Sequence, residues 1–171
     1  MRIWQSMKKD GLLNTVAYGA HLLLRKVGLG SCQFYGFFQQ QLSDGETPRS
    51  YHCELIEVPQ QIGEKLGLPI EVIRQRLKDG CQCVGTFYDN KSSGEAVLVG
   101  AVWYAVPPFT EDEVFAIYDQ SGEGHWCWDF GVYVQPEWRN SRAFAASWMG
   151  ASSQMRKAGF RASLSRISLY N

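Results

Sequence analysis

The stretch that decides the fold runs from Val132 to Phe144 and reads VYVQPEWRNSRAF. It starts with apolar residues typical of a strand, stops at Pro136, and passes through a basic turn into residues typical of a helix. The first backbone N–H groups of a helix have no intrahelical partner. Together with the guanidinium groups of Arg139 and Arg142, they form a site suited to a phosphate-bearing ligand.

The residues before this stretch predict a strand that leads into it. Apolar and polar residues alternate from His125 to Tyr133, and alternate residues of a strand face opposite sides of the sheet. This spacing places His125, Asp129 and Tyr133 on one face. The tryptophans at positions 126 and 128 are expected on the other face, as sheet-packing residues.

The remaining pattern predicts an α/β (α+β) sandwich. Helices are expected at Pro69–Lys78 and at Ser141–Ala158, where Gly159 ends the second one. Strands are expected at Tyr51–Val58, Cys81–Tyr88, Glu95–Val106 and Ala162–Tyr170. The acidic segment from Thr110 to Gly124 is expected to be a loop with one helical turn.

The first thirty residues form a separate basic segment with helical periodicity. Gly28 and Gly30 end the helix, and its apolar stripe consists of Leu12, Val16, Ala20, Leu23 and Val27. We expect this stripe to cover an apolar surface, on the same domain or on a second subunit of a homodimer. Peripheral contact with an anionic membrane is the alternative.

The domain organisation follows from this break in pattern. Residues 1–45 are expected to form an N-terminal helical extension, and residues 46–171 the main domain. The run from Gln33 to Leu42 is compatible with either a strand or a helical turn.

Composition indicates a packed globular protein with a local excess of positive charge. Apolar residues make up 45% of the 171 residues and the formal net charge is zero, so no nucleic acid partner is expected. From Trp138 to Asn171, however, the sequence has basic residues and no acidic one. This segment is either a site for a polyanionic small ligand or a solvated basic face.

The five cysteines indicate reduced thiols in a cytoplasmic protein. They are Cys32, Cys53, Cys81, Cys83 and Cys127, an odd number without the spacing of a four-ligand zinc site. We therefore expect neither a structural disulfide nor a bound metal. No apolar run has the length of about 20 residues that crosses a bilayer.

The segment around Pro136 resembles a known family signature. Val134, Pro136 and Arg139 spell Val-x-Pro-x-x-Arg, and a helix rich in small residues follows. This resembles the acetyl-CoA-binding signature of the GNAT (GCN5-related) N-acetyltransferases. The resemblance implies a mixed, mainly antiparallel sheet flanked by helices, here with an extra N-terminal amphipathic helix.

The resemblance also implies acetyl-CoA as the acyl donor. In the family the pantetheine arm pairs with a splayed strand, and the amides of an Arg/Gln-x-x-Gly-x-Gly/Ala loop hold the pyrophosphate. Arg139 matches the leading position of that pattern, while the family's glycines fall on Arg142 and Phe144. The expected cofactor-binding residues are Val132, Tyr133, Val134, Arg139, Asn140, Ser141, Arg142, Ala143 and Phe144.

GNAT chemistry is the attack of an amine on a thioester, which requires a base for the ammonium proton. Asp129 is the first candidate for this base and His125 the second, since both precede the acetyl-CoA turn on one strand face. Glu54 is a further carboxylate candidate. The alternative for Asp129 is a structural role, hydrogen-bonded to a neighbouring loop.

These features predict an acyl-CoA-dependent N-acyltransferase, an acetyltransferase in the first instance, that acts on a small-molecule amine. The alternative is a degenerate GNAT-like module that binds CoA or a protein partner without catalysis. A structural domain whose basic turn binds phosphate incidentally is a third reading. In the family another helix and two strands follow the fifth strand, so a domain that ends at Asn171 is expected to lack them.

Overall fold

A six-stranded sheet positions the site. The computed structural model describes residues 16, 19–20, 23–24, 26–27, 35–57, 63, 65–92, 94–111, 116–119 and 125–168. The strands are β1 (Tyr35–Gln41), β2 (Tyr51–Leu55), β3 (Gln82–Asp89), β4 (Ala96–Ala105), β5 (Phe109–Thr110), β6 (Ile117–Tyr118), β7 (Trp126–Val134) and β8 (Ala162–Ser168). The helices are α1 (Ile70–Lys78) and α2 (Ala143–Lys157), and a 3₁₀ turn spans Pro136–Trp138.

The order of strands in the sheet is β1-β8-β7-β4-β3-β2. Strands β2, β3, β4 and β7 pair antiparallel, and β7 pairs parallel with β8. This arrangement confirms the expected mixed, mainly antiparallel sheet flanked by helices. The run from Gln33 to Leu42, left open by the sequence, contains strand β1.

The chain divides into a unit of residues 39–165 and a smaller unit of residues 1–38 and 166–171. In the smaller unit, the guanidinium carbon of Arg166 lies 3.9 Å from the centre of the Tyr35 ring. Helical residues between positions 16 and 26 confirm an N-terminal helix. Among the described residues, no helix is long and apolar enough to cross a membrane.

The described residues of the apolar stripe are exposed in the single chain, and the expectation that an apolar surface covers this stripe stays a prediction. Val16 is 61% exposed, Leu23 68% and Val27 61%, and Ala20 is exposed as well. Leu12, Gly28 and Gly30, on which the rest of that prediction falls, lie outside the described residues. The homodimer and membrane alternatives remain predictions.

The acidic segment contains a short ladder rather than only a loop. Strands β5 and β6 pair antiparallel, and the Tyr118 hydroxyl donates a hydrogen bond to Glu111 at 2.8 Å. Aromatic packing explains this departure, because Phe109 stacks on Phe130 and Tyr118 on Trp128, with centroids 4.9 and 3.8 Å apart. A helical turn was expected within Thr110–Gly124, and residues 112–115 and 120–124 of that segment lie outside the described residues.

A β-bulge interrupts the regular alternation of β7. Trp103 of β4 pairs with Phe130 of β7, and Ala101 of β4 pairs with Tyr133 of β7. Two residue steps along β4 therefore lie opposite three along β7, which means that β7 contains one extra residue here. Gly131 has a φ of +58°, a conformation that glycine adopts without strain. Beyond this extra residue, each side chain of β7 points to the face of the sheet opposite to the one that regular alternation predicts. The prediction that Tyr133 shares the face of Asp129 is therefore wrong.

Helix α2 packs closely on the sheet because its inward residues are small. An added Cβ on Gly150 would lie 2.1 Å from the Sγ of Cys53, and one on Gly100 would lie 2.7 Å from the Ser147 hydroxyl. Ser147 also accepts a hydrogen bond from Thr86 at 2.8 Å and donates one to the Ala143 carbonyl. This close approach fixes the start of α2 relative to β7.

The opposite face of the sheet holds the larger aromatic core. Trp103 and Trp128 are almost fully buried there with Ile73 of α1, which confirms that the tryptophan at position 128 packs the sheet. Cys81 and Cys83 lie in the same cluster. Cys53, Cys81, Cys83 and Cys127 are free thiols; Cys32 lies outside the described residues.

Candidate functional site

The turn between β7 and α2 is held in place by contacts to the central sheet. The Gln135 amide donates to the Val99 carbonyl at 2.9 Å, and the Gln135 side chain donates to the Leu98 carbonyl at 2.7 Å. The Trp138 ring lies 4.8 Å from that of Tyr88. These contacts stop the strand at Pro136 and direct the chain into the basic turn.

Some of the backbone N–H groups at the start of α2 find hydrogen-bond partners within the chain itself. The Ser141 hydroxyl donates to the Trp138 carbonyl at 2.6 Å and accepts a hydrogen bond from the Ala143 amide at 3.0 Å. Ala143 is fully buried against Val134 and Val99, so its methyl group serves packing. In the described part of the chain, no hydrogen bond uses the amides of Phe144 and Ala145. Those two groups are available to an anion.

Both arginines of the turn reach solvent. Arg139 is exposed, and its Nε donates to the Val134 carbonyl at 3.2 Å, which ties the side chain to the end of β7. Arg142 is exposed and has a φ of −81°, so this position does not require glycine. Phe144, at the second family glycine, is 55% exposed and lies over Trp148 rather than over the turn.

Strands β7 and β8 pair over only three residues at their beginnings. Trp126 pairs with Ala162, Cys127 with Ser163 and Trp128 with Leu164. On the side of β8, the part of β7 from Asp129 to Val134 therefore has no partner in the register of the described strands. Its backbone leads directly to the basic turn, and Val132 is 38% exposed along it.

Asp129 lies where the two strands separate. Its side chain is only 2% exposed, and burial raises its pKa from 3.8 to about 6, while hydrogen bonds from Ser163 and Ser165 act to lower that pKa. A cavity with room for about one water molecule adjoins the carboxylate and is lined by Gln40, Ser152 and Ser163. Asp129 is thus a carboxylate poised to exchange a proton near neutral pH.

The structure does not bring His125 or Glu54 to this place. His125 is exposed at the paired end of β7, where its carbonyl accepts a hydrogen bond from the Arg161 amide at 2.7 Å. Four residues of strand separate it from Asp129, or roughly 13 Å. Glu54 is exposed on β2, and two strands lie between β2 and β7. Asp129 is therefore the stronger of the candidate bases.

Two other clefts lie away from this site. One of about 500 Å³ is formed by the loop 44–47, β2 and α2, and includes His52, whose Nδ1 lies 2.7 Å from Asp89. Another of about 240 Å³ lies between α1 and Thr110. In the described residues, no three histidine, cysteine or acidic side chains cluster as metal ligands do.

Sequence reasoning missed the residues that hold the site together. Gln135 and Trp138 anchor the turn through contacts to distant strands, which no local pattern reveals. Ser163 and Ser165 had a usable signal, because period-two spacing on a strand places both hydroxyls on one face. Their relation to Asp129 depends on the register of β8 beside β7.

Several known structures are similar to this chain at low sequence identity. A tandem GNAT protein from the clavulanic acid biosynthesis pathway, solved without AcCoA, is 15% identical with a TM-score of 0.52, and the match covers 90% of this chain and 51% of that chain. A GCN5-related N-acetyltransferase from Sphaerobacter thermophilus is 11% identical with a TM-score of 0.48, covering 87% and 47%. A functionally unknown conserved protein from Staphylococcus epidermidis is 10% identical with a TM-score of 0.49, covering 85% and 55%.

The likeness to the tandem GNAT protein confirms the fold expected from the sequence. The chain has the fold of the GCN5-related N-acetyltransferases, and it spans about half the length of the solved structures named above. No protein-family model matches the sequence, and no curated protein matches it significantly.

Proposed function

We propose that this chain is an acyl-CoA-dependent N-acyltransferase with acetyl-CoA as donor and a small amine as acceptor. The observation that carries the proposal is the separation of β7 from β8 beside a buried carboxylate. The free edge of β7 runs from Asp129 to the basic turn, a length of roughly 16 Å. An extended pantetheine arm bridges such a span.

The turn suits the phosphates of the donor. The amides of Phe144 and Ala145 lie at the start of a helix, where the helix dipole favours an anion. Arg139 and Arg142 add two exposed guanidinium groups, each able to form paired hydrogen bonds with phosphate oxygens. Of the residues predicted to bind the cofactor, Ala143 would contribute packing and Ser141 would maintain the cap.

The bound donor supplies a thioester carbonyl carbon that an amine can attack. The amine nitrogen forms the new amide bond, the carbon–sulfur bond breaks, and the departing CoA thiolate takes up the second nitrogen proton and leaves as the thiol. The nitrogen must lose a proton to become nucleophilic, and Asp129 accepts it directly or through one water molecule. Its raised pKa brings the carboxylate closer to the pKa that suits a base near neutral pH.

A binding test separates this proposal from a solvated basic face. Calorimetry with acetyl-CoA should give binding that weakens with added salt. Arg142→Ala should weaken binding by about 1–3 kcal/mol, or roughly 5- to 150-fold. Arg161→Ala removes an exposed charge from the same basic segment and is the matched control. Equal losses in both variants, or no heat from the folded protein at millimolar acetyl-CoA, would contradict the site.

An activity test separates catalysis from binding alone. Release of free thiol from acetyl-CoA is measured over a panel of small amines, with Asp129→Asn beside the wild type. The substitution should lower kcat by about 10²- to 10⁴-fold and leave acetyl-CoA affinity nearly unchanged. Tight binding without turnover on any amine would favour the non-catalytic CoA-binding module.

A further inference from the structure

Asp129 lies at the point where strands β7 and β8 separate. The last parallel pair joins Trp128 to Leu164, so Asp129 and Ser165 are the first residues beyond the pairing. Ser163 and Ser165 occupy the same face of β8 because they are two residues apart. The hydroxyl groups of both serines hydrogen-bond to the carboxylate.

Among the described residues, little else around this carboxylate could stabilise its charge. Ser163 is 2% exposed and Ser165 8%, so bulk water does not replace their hydroxyls. The titratable neighbours on the strands are Cys127 and Tyr104. Burial and the Asp129 carboxylate raise the pKa of Cys127 to about 12, and burial and Cys127 raise that of Tyr104 to about 12. Both groups are neutral near pH 7.

The side facing α2 also lacks a counter-charge in the described residues. Helix α2 presents Trp148, Ala151, Ser152 and Met155 to the small cavity beside Asp129, and the Gln40 and Leu42 side chains complete the lining with Ser163. An ionised carboxylate in such a place depends on the hydrogen bonds that it accepts.

We propose that Ser163 and Ser165 are positioning residues that hold the Asp129 carboxylate, at the separation of β7 and β8, in the orientation and charge state needed to accept the substrate proton. This role rests on the proposed acyltransferase function. The hydroxyls donate to the carboxylate, which favours the ionised form and restrains the side chain.

The direct test is the pKa of Asp129 in the unliganded, full-length protein, measured by ¹³C NMR titration of labelled aspartate and assigned with Asp129→Asn. Ser163→Ala or Ser165→Ala should each raise that pKa by about 1–2 pH units, because a hydrogen bond to a charged group is lost. Ser165→Thr keeps the hydroxyl and should restore the wild-type pKa. Ser147→Ala removes an equally buried hydroxyl from α2 and should leave the pKa unchanged.

A second readout is the acid limb of the pH profile of kcat, which should move upward with the NMR value. An unchanged or lowered pKa in both alanine variants would overturn the positioning role even if the enzyme is active. A raised pKa in a protein that never cleaves the thioester would support the hydrogen bonds and reject the catalytic part. Circular dichroism of each variant shows that the fold is kept, and if one alanine variant fails to fold, the pKa shift in the other alanine variant decides the test.

Discussion

Replacing Asp129 with asparagine should stabilise the protein at neutral pH and have a much smaller effect in acid. Asparagine has the shape of aspartate, so the packing between β7, β8 and α2 is retained. The substitution removes only the charge that forms when the carboxylate ionises in a site with 2% exposure. The effect on the free energy of unfolding should therefore depend on pH.

The size of this effect on the free energy of unfolding follows from the difference between the pKa values of Asp129 in the folded and unfolded states. Burial raises the pKa of Asp129 from 3.8 to about 6, a difference of about 2 pH units. At 1.36 kcal/mol per unit, ionisation of this group in the folded state costs about 3 kcal/mol. That is a substantial part of the stability of a typical domain, about 5–15 kcal/mol.

The direction in which stability changes with pH follows from proton binding. Between about pH 4 and pH 6 the folded protein holds the Asp129 proton while the unfolded chain has lost it, so stability falls as pH rises through this window. Above this window the Asp129 side chain is ionised in both states, and the loss of stability is complete. Below it both states are protonated, and the aspartate and asparagine forms differ little.

Urea unfolding of both proteins at half-unit steps from pH 4 to pH 8 measures this difference. The advantage of Asp129→Asn should grow by about 2.4 kcal/mol between pH 4 and pH 7 and then stay nearly constant. Titration of other groups cancels in the comparison. Ser147→Ala, a neutral change at a buried site, should show a pH-independent difference. A flat or falling difference for Asp129→Asn would refute the desolvation of this carboxylate.

Three further predictions concern packing, the bulge and the buried thiols. Gly150→Ala should destabilise the protein by about 1–3 kcal/mol, because its Cβ would lie 2.1 Å from the Cys53 Sγ, whereas Ser153→Ala on the same helix should change the unfolding midpoint little. Gly131→Ala should destabilise the protein by about 1–2 kcal/mol and weaken acetyl-CoA binding. The reason is that a φ of +58° is strained for alanine, and the added Cβ would lie 2.9 Å from Arg76. An unchanged melting temperature and unchanged binding in calorimetry would count against a rigid bulge. In native protein at pH 8, peptide mapping after treatment with a thiol reagent should find Cys83 and Cys127 unmodified, because burial raises the pKa of each to about 12; rapid labelling of either would show that these thiols are accessible.

The sequence by itself determined the main elements of the sheet and of α2. The predicted helix Ser141–Ala158 is observed as Ala143–Lys157, and the strand before the turn ends at Val134, next to Pro136. These features are local: apolar periodicity, a proline stop and a glycine end depend only on residues near one another in the chain. The resemblance to the GNAT signature rested on the same short stretch.

The tertiary structure alone decided the site around Asp129. The bulge at Gly131 turned Tyr133 to the opposite face, and it depends on how β7 pairs with β4. The hydrogen bonds from Ser163 and Ser165 require the parallel register of β8 beside β7 and its end after Trp128. Register, bulges and burial arise from contacts between residues far apart in sequence. A period-two pattern assigns faces within a strand, but it contains no information on where two strands separate.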